Sequence, residues 1–161
     1  MRQLNVHKLV KNLNNLCNCL SDIYNINCGG CCYVAYEIAK HLDRFNLSYE
    51  LHILNDYPIN KRKINEKFDL ISGNNTCCHY YLVVHGGGAI NRGDFDTEYY
   101  TYVVPNINHR KLNWIYRVSK WNSTYKRKNN KLIKKVISLY FKQYGKASKS
   151  NLCSCKSSPM S

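Results

Sequence analysis

Beyond Glu98 the chain has no aspartate or glutamate. Residues 1–98 carry ten basic and ten acidic side chains, while residues 99–161 carry fourteen basic ones, so the whole net charge of +14 belongs to the C-terminal third. Long apolar runs are missing too, which excludes a membrane span and leaves no expectation of a membrane partner. The N-terminus, MRQLNVHKLVKNLNNL, lacks the uninterrupted apolar stretch and small-residue cleavage site of a secretory signal. An intracellular, reducing setting is the expectation. No internal repeat and no nucleic-acid-binding motif is present, which argues against specific base readout. With 44% apolar residues, wholesale disorder is excluded as well.

What is abundant is cysteine. The nine cysteines fall in close pairs: Cys17 and Cys19, Cys28 and Cys31, Cys31 and Cys32, Cys77 and Cys78, Cys153 and Cys155. Adjacent or alternating cysteines are poor geometric partners for each other, and a chain of 161 residues buries a core without staples. Free thiols, metal ligands or a catalytic thiolate are the remaining readings. Asn, Lys, Tyr and Ile are heavily used, as in an AT-rich genome.

Hydrophobic spacing orders the elements. Val6, Leu9, Val10, Leu13, Leu16, Cys17 and Leu20 recur at three- and four-residue steps, predicting a helix over about 4–21 that acts as a lid or brace. Asn-Ile-Asn-Cys-Gly-Gly then frees the backbone before a second helix opening near Cys31 and stopped by Asn46. Residues 48–54 alternate as a strand, and residues 57–76 read as a short helix and a loop. Cys77–His85 reads as a strand ending in the turn Gly86-Gly-Gly88, with Ala89–Asn91 returning and Glu98–Val104 adding a further strand, an antiparallel meander. Helices are expected over 109–120 and 129–145, and a disordered Ser/Lys-rich tail over 146–161. The order predicts one α+β domain over residues 1–145, with N-terminal helices packed on an antiparallel sheet and helices closing the C-terminus.

One constellation carries chemistry. Cys31 follows two glycines at a predicted helix start, where the helix dipole and first-turn N–H groups favour thiolate over thiol. A thiolate nucleophile needs a base, and the base needs an orienting acceptor. His79 on the later strand fits the base, Asn91 or Asp94 the acceptor, and Asn25 or Asn27 with the Cys31 N–H could stabilise an oxyanion. The implied reaction is hydrolysis or acyl transfer at an amide or related carbonyl. It requires no metal and no cofactor.

Asn27-Cys-Gly-Gly-Cys-Cys-Tyr-Val-Ala35 opening a helix, then Cys78-His-Tyr-Tyr-Leu-Val-Val84 with a polar Asn/Asp segment after it, resembles the papain-like cysteine peptidase superfamily. The likeness is nearest to small phage- and virus-encoded members and to the amidase branches called NlpC/P60 and CHAP. It spans roughly residues 24–145, with Trp121-Asn122 and the last helix matching loosely. The resemblance implies a papain-like fold, Cys31 as nucleophile, His79 as base and Asn91 or Asp94 as the third residue. For a viral protein it implies host cytoplasm or virion.

Two other readings use overlapping residues. Cys28 and Cys31, with Cys77, Cys78 and His79, have a spacing that could ligate zinc, although adjacent ligands rarely share one ion. Alternatively, Arg110, Lys111, Arg117, Lys120, Lys126, Arg127, Lys128, Lys131, Lys134 and Lys135 lie among Trp114, Tyr116, Trp121 and Tyr125, a basic surface with stacking groups. On that reading the chain is a catalytically silent, papain-like viral structural or host-interaction protein that holds anionic partners, including nucleic acid without sequence preference.

Overall fold

A computed structural model describes residues 4–27, 30–55, 77–94, 100–118 and 128–150. The leucine stripe of the N-terminus forms α1 (Val6–Tyr24), with Leu9, Leu13, Leu16 and Leu20 buried along one side. Asn5 caps it by accepting from the Lys8 N–H at 3.0 Å, and Asn25 ends it in the left-handed region at φ 52°. After the turn at Ile26, α2 (Cys31–Arg44) is buried on nearly every side. Cys31, Val34, Ala35 and Ile38 meet the sheet. On another face Tyr33 packs on Tyr116 and His41 stacks on Phe141, with ring centroids 5.3 Å and 4.3 Å apart.

Four antiparallel strands make the sheet: β1 (Tyr49–Asn55), β2 (Cys77–Val84), β3 (Gly88–Ile90) and β4 (Tyr100–Val104), in spatial order β3-β2-β1-β4. The α+β class is therefore as the residue pattern implied. The meander is not. β4 pairs with β1, placing Tyr102 opposite Ile53, instead of returning beside β3. β3 is three residues long and Asn91 follows it at φ 63°, a left-handed residue that turns the chain off the sheet before β3 can be flanked. β1, with apolar Leu51, Ile53 and Leu54 buried, becomes a central strand.

The pleat sorts the side chains. Tyr49, Leu51, Ile53, Tyr80, Leu82 and Val84 join the core under the helices. His52 opposite Tyr81, and Leu54 opposite His79, therefore lie on the other face.

Two further helices close the core: α3 (His109–Val118) through Leu112 and Ile115, and α4 (Lys128–Ser150) through Ile133, Ile137 and Phe141. Both pack on α2. α4 continues through Ser150, past the expected start of the tail, because Lys, Ala and Ser are tolerated in a helix that is already propagating. Residues 151–161 and the segment 57–76 lie outside the described residues.

Asp43 knits three elements together. Its Oδ1 accepts from the Tyr49 hydroxyl at 2.7 Å, and its Oδ2 accepts from the His109 N–H at 2.9 Å and from His109 Nδ1 at 2.5 Å. Partial burial pushes this carboxyl up, but the Tyr49 and His109 donors outweigh it and hold the group below the usual carboxylate range. α1 braces β3 in a similar way. Asn14 Nδ2 donates to the Ala89 carbonyl at 2.8 Å, and Val6 and Val10 press on Gly87, where a Cβ would come within 2.6 Å of Val6 Cγ1.

Candidate active site

Cys31 is the first residue of α2, preceded by Gly30 as N-cap, and is only 6% exposed. Its side chain lines a narrow crevice between α2 and the sheet, too tight to admit a water molecule, walled by Val34, Ala35, Ile38, Tyr80, Tyr81, Leu82 and Ile90 and bordered by Asn91. Asn91 is 9% exposed and is a junction. Its N–H donates to Asn14 Oδ1 at 2.8 Å, and its side-chain Nδ2 donates to Asn27 Oδ1 at 3.2 Å. Its main-chain oxygen lies 2.5 Å from His79 Nε2.

That last contact fixes a tautomer. A carbonyl oxygen only accepts, so Nε2 carries the proton and Nδ1 is the basic nitrogen of neutral His79. Complete burial lowers the affinity of this imidazole for a second proton, the Asn91 carbonyl partly restores it, and nearby Arg92 lowers it again. The net shift is downward, so neutral imidazole is the form present near neutral pH. Tyr81 stacks beside it, with ring centroids 6.0 Å apart.

The pleat turns His79 away from the face that carries Tyr80 and Leu82 against α2. His79 and the Cys31 crevice are joined through Asn91. β3 pairs with β2 only over Leu82–Val84, so among the described residues no β3 residue is paired alongside His79.

Comparison of the chain with family models, with curated proteins and with solved structures finds no match. The site therefore stands on its own geometry.

Of the residues singled out from sequence, Asn91 contacts both His79 and Asn27 and borders the crevice of Cys31, while His79 itself stands on the other face of the sheet. Asn25 is exposed and its backbone caps α1, donating its N–H to Ser21 O at 2.9 Å. Asp94 is exposed, and the contact to His79 is made by Asn91, through its main chain and not its side chain. Cys28 and the side chains of Cys77 and Cys78, which the zinc reading needs, lie outside the described residues. Among the described residues no group of three His, Cys, Asp or Glu is arranged to hold a metal ion.

The basic residues divide by place. Arg110, Lys111 and Arg117 are exposed on α3, and Lys131, Lys134 and Lys135 on α4. Lys120, Lys126 and Arg127 lie outside the described residues, and Lys128 begins α4.

Sequence reasoning passed over Asn14, His52, His85 and His109. Asn14 falls one helical turn after Val10 on the edge of the apolar stripe, a polar residue at a position that faces the sheet edge. Glu50 Oε1 accepts from His85 Nε2 at 3.0 Å and its Oε2 from His52 Nε2 at 3.2 Å. The alternation of Glu50 and His52 along one strand was the available signal; their meeting with His85 depends on the β1 and β2 register.

Proposed function

We propose that this chain is a cysteine-dependent hydrolase of papain-like type acting at an amide or related carbonyl. The observation that carries the reading is the Asn91 junction: it holds His79 in the Nε2–H tautomer with a basic Nδ1, and it lines the crevice of a cysteine at a helix N-terminus.

In this reaction the Cys31 proton passes to His79 Nδ1 by way of the Asn91 end of the sheet, since the two side chains lie on different faces, and the Cys31 sulfur attacks the substrate carbonyl carbon. Asn27 has its Oδ1 turned to Asn91, so its Nδ2 is the end that donates to the oxyanion, together with first-turn N–H groups of α2. The carbon–nitrogen bond then breaks as His79 passes the proton to the leaving nitrogen. Water, losing its proton to the same imidazole, cleaves the thioester and frees the acid and the thiol. His79 enters as neutral base, in keeping with its lowered proton affinity.

Alkylation by iodoacetamide near neutral pH, read by peptide mapping, tests this. Cys31 should react faster than exposed or buried thiols elsewhere, and His79→Gln should slow Cys31 while leaving Cys19 unchanged. A Cys31 that labels no faster than Cys17, whose thiol burial pushes up to about 12, would remove the assignment.

A further inference from the structure

Helix α4 has more apolar surface than the domain beneath it covers. Ile133, Ile137 and Phe141 are buried against the core, yet Leu132 and Leu139 each remain 47% exposed. At about 100° per residue these two leucines fall about 20° apart on the helix, with half-buried Val136 between them along the axis. On the flank away from the core, about 60° to 100° round, come exposed Lys135, Lys142 and Lys131. No acidic residue occurs anywhere in α4, or after Glu98 at all.

We propose that this outer face of α4 docks flat on an anionic lipid surface, the leucines entering the headgroup–acyl boundary and the lysines meeting lipid phosphates and carboxylates. The arrangement is that of an interfacial helix: an apolar stripe bordered by cations whose long stems keep the charge at the water side. That no helix among the described residues is long and apolar enough to cross a membrane does not bear on it, since a helix lying in the interface needs no spanning length. A second copy of the same face is disfavoured by lysine meeting lysine. Nucleic acid would use the lysines, but its phosphate backbone offers nothing to paired exposed leucines.

The test is flotation of the full chain with vesicles of phosphatidylserine in phosphatidylcholine, and with vesicles of phosphatidylcholine alone. Binding should occur on the anionic vesicles, weaken steeply with salt, and be near background on the neutral ones. Leu132→Ala with Leu139→Ala keeps helix propensity and every charge, and should lower partition about tenfold or more. Lys131→Gln, Lys135→Gln and Lys142→Gln together should abolish the preference for phosphatidylserine. No binding to anionic vesicles overturns the proposal. So does a leucine variant that binds as the parent does, or that retains binding which single-stranded DNA displaces, since attraction is then charge alone.

Discussion

His79 is held by the peptide carbonyl of Asn91, 2.5 Å from Nε2, while the Asn91 side chain turns to Asn27. Orientation of the imidazole is thus a main-chain property, and the side chain and the backbone of one residue separate by mutation. Asn91 sits at φ 63°, so Asn91→Gly is accommodated and Asn91→Ala is strained. Asn91→Gly should keep the Nε2–H tautomer, read by nitrogen NMR of the imidazole, and lose about 1–2 kcal/mol of stability with the Asn27 bridge. Asn91→Ala should lose about 1 kcal/mol more in urea denaturation. A tautomer change in the glycine variant would contradict the main-chain account.

Acid should destabilise the fold through two imidazoles. Burial lowers His41 to about 4, with Arg44 and Lys40 adding to it, and lowers His79 as well. A group whose folded-state pKa is depressed takes up a proton more readily unfolded, so its share of stability is present above the unfolded value near 6.5 and is lost as pH falls toward the folded one. For His41, 7% exposed and stacked on Phe141, the loss is up to about 3 kcal/mol between those limits. Denaturation across that pH range should show the fall, and His41→Gln should flatten it.

The hairpin turn is predicted to reject any side chain at Gly87. An alanine Cβ there would stand 2.6 Å from Val6 Cγ1 and 2.7 Å from Val10 Cγ2, and valine χ1 is too stiff to swing clear. Gly87→Ala should cost about 1–3 kcal/mol by lifting α1 from the hairpin. Restored stability in Gly87→Ala combined with Val6→Ala and Val10→Ala, measured relative to the two valine changes alone, checks the cause.

Asp43 should behave as the anchor of α3. Asp43→Ala removes the acceptor shared by Tyr49 and His109 and should cost about 1–3 kcal/mol, with hydrogen exchange accelerating first at the start of α3. Because the Asp43 carboxyl is held low in the fold, its contribution is present at neutral pH and is lost as pH falls through its folded value. Uniform exchange across α3 and α4 would count against a local anchor.

The helices and strands that carry strong periodicity were legible residue by residue. Leu9, Leu13, Leu16 and Leu20 announce α1, and the glycine-flanked Cys31 announces the start of α2, because helix faces and caps are local properties of the chain. Less legible was the sheet order, since alternation along Tyr100–Val104 says that a strand exists without saying which neighbour it takes. The candidate site followed the same division. Cys31, His79 and Asn91 are recognisable by type and position, whereas the choice of Asn91 over Asp94, and of its backbone over its side chain, rests on a left-handed turn that no spacing encodes.

By itself, then, the sequence determined the segregation of charge, the amphipathic helices and the residue types that could do thiol chemistry, all consequences of composition and of neighbours a few positions apart. Tertiary structure decided the rest: that β4 crosses to β1, that Asp43 joins three elements, and that Asn14, Asn27 and His79 converge on Asn91 from distant parts of the chain. Such contacts close long loops and depend on the packing of every element between, so no local pattern specifies them.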